Sequence, residues 1–431
     1  MVRAGPRSWS LPAGVLLWLG VGLALARLVS VIVEAVWWTY GDFAATLPGA
    51  YAERLNPTLW NSPDLAQSWA FHKHTYLHGP TQFLTLYPIV FLDSYASIAR
   101  LLLVVYVVVL LGAVAVMWRC FTTVADRRAT AVAVVTSTLL YTPALQALVQ
   151  REFEIVILLA LSLALWAAVT DRRLAHGALL AYVAGFKYLP LLFVPYLAAR
   201  RWWRALAGFA AVALVIVVLA EMLFGLPLFF NNNVPDHART QLAGLKSRGC
   251  YNWGPGSETL TGIRWGLCSL RAGGVPIPLP WTYLAILGLT IGLGGLGFAR
   301  LQRVGRLSPD AERWRRIWEF SLCVIAYSTF FFSHYYYLTV LILPLNALLV
   351  RYTLSGPWRR GALAALALAY VLLAAFVLPS QFLSWMLGMH FWAAYMRRAL
   401  YLFGELLLLA LVLREYLRLA REVGASAGSR P

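Results

Sequence analysis

Runs of about 20 apolar residues recur along this chain, a length that matches the hydrocarbon thickness of a bilayer and has no use in a soluble core. They can be read at 12–33, 98–118, 130–148, 155–170, 205–224, 277–298, 317–333, 335–350, 362–379 and 399–413. Of 431 residues, 61% are hydrophobic and 13% charged, whereas a soluble chain carries about 25% charged residues. The pattern predicts an all-α polytopic membrane protein, one integral domain over 1–431, and excludes a soluble globular one. Ten crossings put both termini on one side. Two further apolar pieces, 81–95 and 174–198, are interrupted by Pro88 and by Lys187 with Pro190, which suggests short, broken or re-entrant elements. Counted as full spans, they make twelve.

The balance of 36 Lys plus Arg against 18 Asp plus Glu is a statement about topology before it is one about chemistry. Arg3/Arg7, Arg119/Arg127/Arg128, Arg172/Arg173, Arg200/Arg201/Arg204, the six arginines of 300–316, Arg351/Arg359/Arg360 and the tail Arg414/Arg418/Arg421/Arg430 all fall on the side of the N-terminus. These 23 stand against 11 basic residues opposite, with Arg27 and Lys187 inside apolar segments. The N-terminus, the basic loop 299–316 and the tail 414–431 are therefore expected in the cytoplasm, and orientation accounts for the charge surplus without a nucleic-acid partner. Arg3 and Arg7 before an apolar run ending LALA imitate a secretory signal peptide. Because the apolar character continues through Leu28 to Val36, the segment reads as an uncleaved anchor. Only three basic residues are lysines (Lys73, Lys187, Lys246), and with so much Ala, Leu and Gly the composition points to a GC-rich bacterial genome.

Two outer loops dominate, within 39–97 and at 225–276. Both are rich in Asn, Gly, Pro, His and aromatics, the kind of loop on which functional residues concentrate. No internal repeat is evident. Cys250 and Cys268 share the second loop, where a disulfide and two unpaired thiols are equally open readings. His72, His74 and His78 lack nearby Cys or a second cluster and read as solvated or sugar-contacting histidines rather than a metal site.

Five segments carry chemistry. In YGDFAATLPGAYAERLNP (40–57), Asp42 follows the first span beside Trp37, Trp38, Tyr40 and Phe43; partial desolvation would make it a better general base than a free acid, and the plain alternative is an Asp that ends a helix. In GFKYLPLLFVPYLAARRWW (185–203), Lys187 lies between apolar runs, where a lysine costs about 2.5–3.5 kcal/mol unless it snorkels, pairs or faces water. It either snorkels to a headgroup or meets an anionic lipid phosphate. In FFFSHYYYLTVLILP (330–344), His334 is followed by Tyr335, Tyr336 and Tyr337, donors for a phosphate and faces for an isoprenoid or sugar; an ordinary aromatic belt has the same composition. REFE at 151–154 crowds Arg151, Glu152 and Glu154 into a short outer turn. CYNWGPGSETLTG (250–262) carries Asn252, Trp253 and Glu258.

Taken in order, these segments resemble the polytopic type-C glycosyltransferases of glycosyltransferase family 87, which includes mycobacterial polyprenyl-phosphate-mannose-dependent mannosyltransferases of the phosphatidylinositol mannoside type. The resemblance rests on Asp42-Phe43 after the first span, HGPTQFLTLYP at 78–88, Lys187 and Pro190 before Arg200/Arg201, and His334-Tyr335 leading to Pro344. Departures fall at Glu152 and Glu154, where the family tends to amides, and at SETLTG (257–262), where it tends to Asn-Gln-Ser-Leu-x-Gly.

The resemblance implies a fold of 10–12 membrane segments with large extracytoplasmic loops, in a bacterial cytoplasmic membrane. It implies transfer of a sugar, mannose before others, from a polyprenyl-phosphate donor to a lipid or glycan acceptor. Asp42 would take the acceptor proton as the anomeric centre inverts. His334, Lys187 and Arg151 would stabilise the leaving phosphate, with Tyr336 a lesser candidate. Glu152, Glu154, Tyr335, Asn252, Glu258 and His78 complete the expected substrate-binding set. The absence of a DxD pair suits a reaction with no nucleotide diphosphate, so neither cofactor nor metal is expected. The rival class is a transporter or flippase for a lipid-linked saccharide, with Lys187 and Arg27 carrying substrate or ion charge. Against it, polar residues gather in outer loops rather than at mid-membrane.

Overall fold

A computed structural model describes residues 11–37, 80–89, 92, 95–187, 189–224, 260–304, 307–330, 333–355, 360–374, 394–396 and 398–428. Among the described residues, each of the ten apolar runs contains helix. In chain order these are α1 (Leu11–Trp37), α2 (Pro80–Leu86), α3 (Tyr95–Phe121), α4 (Arg127–Leu139), α5 (Thr142–Gln150), α6 (Glu154–Val169), α7 (Arg173–Lys187), α8 (Phe193–Ala199) and α9 (Trp203–Phe224). There follow α10 (Ile263–Ala272), α11 (Leu279–Arg303), α12 (Pro309–Thr329), α13 (Ile342–Thr353), α14 (Arg360–Ala374) and α15 (Leu400–Gly428). Two-residue strands β1 (Leu260–Thr261) and β2 (Ser333–His334) pair antiparallel, Leu260 opposite His334 and Thr261 opposite Ser333.

Among the described residues, four helices are long and apolar enough to cross a bilayer, with segments Trp18–Val36, Ala96–Phe121, Trp203–Leu223 and Leu279–Arg303. The run expected at 130–148 is broken into two helices, α4 and α5, that meet at 56°. Pro143 explains the break: it has no N–H to donate, and its ring would clash with the carbonyl four residues back in a continuous helix. Three further runs fall in shorter apolar helices, Glu154–Val169, Tyr337–Thr353 and Arg360–Ala374. On the outside of the bundle Leu214, Val215 and Met222 of α9 and Leu289 and Ile291 of α11 are exposed, as lipid-facing side chains are. Two helices outrun their apolar stretches. α12 starts at Pro309, with Ser308 accepting from the Ala311 amide at 3.3 Å and Asp310 and Glu312 in its first turn, an N-terminal pattern that favours helix at the positive end of the dipole. The expected tail 414–431 continues as α15 through Gly428, supported by an Arg418–Glu422 pair at 2.6 Å.

The two interrupted segments are short elements. Residues 80–89 form α2 and a 3₁₀ turn (Tyr87–Ile89), packed on α7 and α9 with Thr81, Gln82, Phe83 and Leu86 buried. The stretch 174–198 is a hairpin: α7, a 3₁₀ turn (Leu189–Leu192) and α8. Both its ends lie in one ionic layer, where Arg316 meets Asp171 at 3.1 Å and Glu312 at 3.0 Å while Arg200 meets Glu312 at 2.6 Å and Glu319 at 3.3 Å. Arg315 also holds Glu319 (2.8 Å), whose other donors are the hydroxyls of Tyr196 (3.2 Å) and Tyr416 (2.9 Å). Arginines that sort by topology in the sequence thus also hold α8, α12 and α15 together.

At the centre, α6 is apolar around its whole circumference, as a helix surrounded by others must be, and packs on α3, α7 and α12. Beside it α7 and α9 cross at backbone contact, because Gly177 faces the Ala205 carbonyl and Gly208 the Leu174 carbonyl with no room for a Cβ. Small residues at such crossings supply the close packing that lipid, being apolar itself, does not drive. Gly177→Ile is expected to push the two helices apart and cost at least about 1–3 kcal/mol. Its measure is the melting temperature of purified protein in detergent. Gly288→Ile, at a site on α11 with open space around it, should leave that temperature unchanged.

Candidate active site

At the end of the bundle opposite the ionic layer, three elements converge. Glu154 opens α6, Lys187 closes α7, and Tyr337 lies in the 3₁₀ segment (Tyr335–Leu341) that follows β2. The Lys187 ammonium forms an ion pair with Glu154 and lies 2.9 Å from the centroid of the Tyr337 ring. A small pocket opens beside them, lined by Glu154, Lys187, Pro190, Tyr327, Ser328 and Tyr337 among others. Side-chain exposure is 9% for Lys187 and 2% for Glu154. At such burial an ammonium without a counter-charge would cost several kcal/mol, and the carboxylate and aromatic face together offset that cost. The other Glu154 oxygen and the hydroxyls of Tyr106 and Tyr327 have no hydrogen-bond partner among the described residues. Both tyrosines lie within electrostatic range of Glu154. The arrangement is a cation with acceptors and hydroxyls around it, set in apolar and aromatic walls, which suits an anionic headgroup carried on a hydrocarbon tail.

Arg151 has a different placement. It caps α5 in the left-handed conformation (φ 57°) and is 1% exposed. Its guanidinium donates to the carbonyls of Ala99 (2.9 Å), Val149 (3.1 Å) and Ala35 (2.8 Å). Ala35 and Val149 lie in the last turns of α1 and α5, whose carbonyls have no intrahelical partner. Arg151 therefore joins α1, α3 and α5 at the same end of the bundle. Glu152 is buried next in the chain, its amide bonded to the Ala147 carbonyl at 2.8 Å. Between them and the pocket, Phe153 packs on Tyr106 (centroids 6.0 Å apart) and Phe186 (5.4 Å).

The β1–β2 pairing joins two of the singled-out segments, since the backbone at Leu260 in SETLTG lies against the backbone of His334. Tyr335 is buried, donating to the Leu373 carbonyl at 3.0 Å, and the Tyr141 hydroxyl donates to the Leu338 carbonyl at 3.0 Å. These bonds strap the 3₁₀ segment to α5 and α14 and hold Tyr337 over Lys187. Asp42, His78, Asn252, Glu258 and Cys250 lie outside the described residues, as do the side chains of His334 and Tyr336; Cys268 is buried in α10. Tyr106, Tyr327, Ser328 and the buried Gln82 were not singled out from the sequence. Tyr106 is a lone polar group in an apolar run and Gln82 interrupts another, which is the one signal that could have found them.

A helical bundle with apolar side chains exposed on its outer helices and a charged pocket at one end is that of a polytopic membrane protein with a candidate binding site at its rim. The sequence model of glycosyltransferase family 87 matches residues 76–312, more than half of the chain, and the protein belongs to that family of membrane glycosyltransferases. The matched stretch contains Arg151, Glu152, Glu154 and Lys187; Asp42 and His334 fall outside it. A search among curated proteins finds no match.

The placement of Arg151 makes a stability prediction. Arg151→Met removes the donors of three backbone carbonyls and is expected to destabilise by about 3 kcal/mol or more, seen as loss of folded protein in size-exclusion chromatography and a lower melting temperature. Arg151→Lys, which keeps the charge but not the planar fork, should recover only part of the loss.

Proposed function

We propose that this glycosyltransferase moves a sugar, with mannose the expected hexose, from a polyprenyl-phosphate donor to a lipid or glycan acceptor on the extracytoplasmic face of a bacterial cytoplasmic membrane. The observation that carries the reading is the Lys187 ammonium in an apolar and aromatic pocket. A cation so placed at the end of a membrane bundle suits a phosphate whose tail lies in the bilayer better than a freely soluble nucleotide sugar. The 23 to 11 division of basic residues supports an extracytoplasmic position for that end.

In this reading Asp42 accepts the proton of the acceptor hydroxyl as it attacks the anomeric carbon from the face opposite the phosphate, inverting the centre. Lys187 and His334 stabilise the departing phosphate. Arg151 acts as a positioning residue: it holds the ends of α1, α3 and α5, and α1 is the helix from which the Asp42 segment continues. Glu152, Tyr336, Asn252, Glu258 and His78 are the candidates for contact with sugar or acceptor, and Tyr335, buried with its hydroxyl on the Leu373 carbonyl, holds the segment in place instead.

Purified protein is expected to transfer sugar from a synthetic short-chain polyprenyl phosphate glycoside and to ignore nucleotide sugars; equal turnover with a nucleotide sugar contradicts the donor. Asp42→Asn keeps size and most hydrogen bonding but cannot accept a proton, so turnover should fall about 100- to 10,000-fold with donor binding nearly unchanged. Asp64→Asn in the same loop should cost little. Retention of more than about a tenth of wild-type turnover by Asp42→Asn at saturating substrates rules Asp42 out as the base.

A further inference from the structure

The cation in the pocket already has an anion. Glu154 and Lys187 are paired, both nearly inaccessible, on the wall of the space that Ser328, Tyr327 and Pro190 complete. A phosphate that takes the lysine as its counter-ion competes there with a carboxylate, which carries the same single charge as a phosphodiester. Glu154 also differs in mobility from any free competitor. It is fixed by the first turn of α6, so it stays within side-chain reach of Lys187 whether or not it is bound, at an effective concentration no soluble anion attains. One of its oxygens has no hydrogen-bond partner among the described residues even in the paired state.

Resting on the lipid-phosphate donor reading above, we propose that Glu154 is a tethered counter-anion that exchanges with the lipid phosphate on Lys187, yielding when donor enters and reclaiming the ammonium to release the product lipid. The need for such a device follows from the charge change in the reaction. The bond from the anomeric carbon to the phosphate oxygen breaks with both electrons going to that oxygen. The acceptor oxygen bonds to the carbon, and the acceptor proton passes to Asp42. A phosphodiester of charge −1 becomes a phosphomonoester of about −1.5 to −2 at neutral pH. The product is thus the stronger ligand of the same lysine. A lysine with no competing anion would favour the spent lipid over fresh donor. A carboxylate held beside it weakens both and shortens the residence of the product, and in the empty site it neutralises an ammonium that could not stay buried alone. Glu154 in this role is a positioning residue that acts through Lys187.

The test is binding of a short-chain polyprenyl phosphate to full-length protein in detergent, followed by tryptophan fluorescence, with inorganic phosphate and phosphatidate in parallel. Wild type should bind the polyprenyl phosphate in preference to inorganic phosphate and phosphatidate. Glu154→Gln should bind it about tenfold tighter, equivalent to about 1.4 kcal/mol, with lower kcat and stronger inhibition by added polyprenyl phosphate. Glu154→Asp, one methylene shorter with its charge kept, should fall between the two and decides the matter if the Gln variant does not fold. On a Lys187→Met background, Glu154→Gln should change affinity by less than about twofold, because the effect runs through the lysine. Wild type that binds no polyprenyl phosphate, or prefers inorganic phosphate or phosphatidate, overturns the donor reading and the exchange together. Wild-type binding with neither Glu154 variant tighter overturns the exchange alone.

Discussion

A charge buried at the edge of a bilayer needs a partner, and in this protein the partners of a few such charges set the positions of the central helices. At one end Lys187 is paired with Glu154. At the other, Arg200, Arg315 and Arg316 are divided among Glu312, Glu319 and Asp171. Between the two layers stands α6, 16 residues long, or about 24 Å at 1.5 Å per residue. The α7–α8 hairpin is fastened at both ends, its apex to the head of α6 and its feet to α12. Neither layer is a net source of stability to compare with the apolar packing around it. Each fixes register, because a one-turn slip of α7 would leave Lys187 without its carboxylate.

The dimensions have a consequence for substrate access. A helix of about 24 Å does not cover a hydrocarbon core of about 30 Å. On the donor reading proposed above, with the basic end of α6 at one interface its head would stand inside the other, and the pocket beside it would meet a headgroup drawn slightly below the surface with its tail still in lipid. That position suits the membership in glycosyltransferase family 87, whose reaction requires a sugar donor and an acceptor to meet. The strap from β2 through Leu341 closes the pocket from a different part of the chain, and it is itself held by Tyr141 and Tyr335 through backbone carbonyls.

Hydropathy reveals the apolar part of a helix and nothing else, which explains both what the sequence made legible and what it did not. Each of the ten apolar runs contains helix among its described residues, and the interruptions at Pro88 and at Lys187 with Pro190 fall in 3₁₀ turns or at the end of a helix. The starts of α12 at Pro309 and the extension of α15 past Arg414 escaped because those turns are amphipathic and charged, and their helicity comes from caps, ion pairs and packing. Pro143 broke a run that by apolar length alone reads as continuous. In the site, Lys187 stood out because a lone lysine between apolar runs must have a reason. Its pairing with Glu154, 33 residues earlier, depends on the antiparallel return of α7 along α6, which local pattern does not specify. Arg151 shows the converse: one arginine in an outer turn offers the same five donors to a phosphate or to orphan carbonyls, and only the positions of α1, α3 and α5 distinguish the two.

Electron cryomicroscopy of the protein in a lipid nanodisc with a short-chain polyprenyl phosphate bound puts the central contact in direct view. The phosphate should lie within about 4 Å of the Lys187 ammonium, the distance of an ion pair, with the Glu154 carboxylate turned away and the isoprenoid running out between helices toward lipid. A phosphate bound elsewhere, with Lys187 still paired to Glu154, would contradict the assignment of this pocket to the donor.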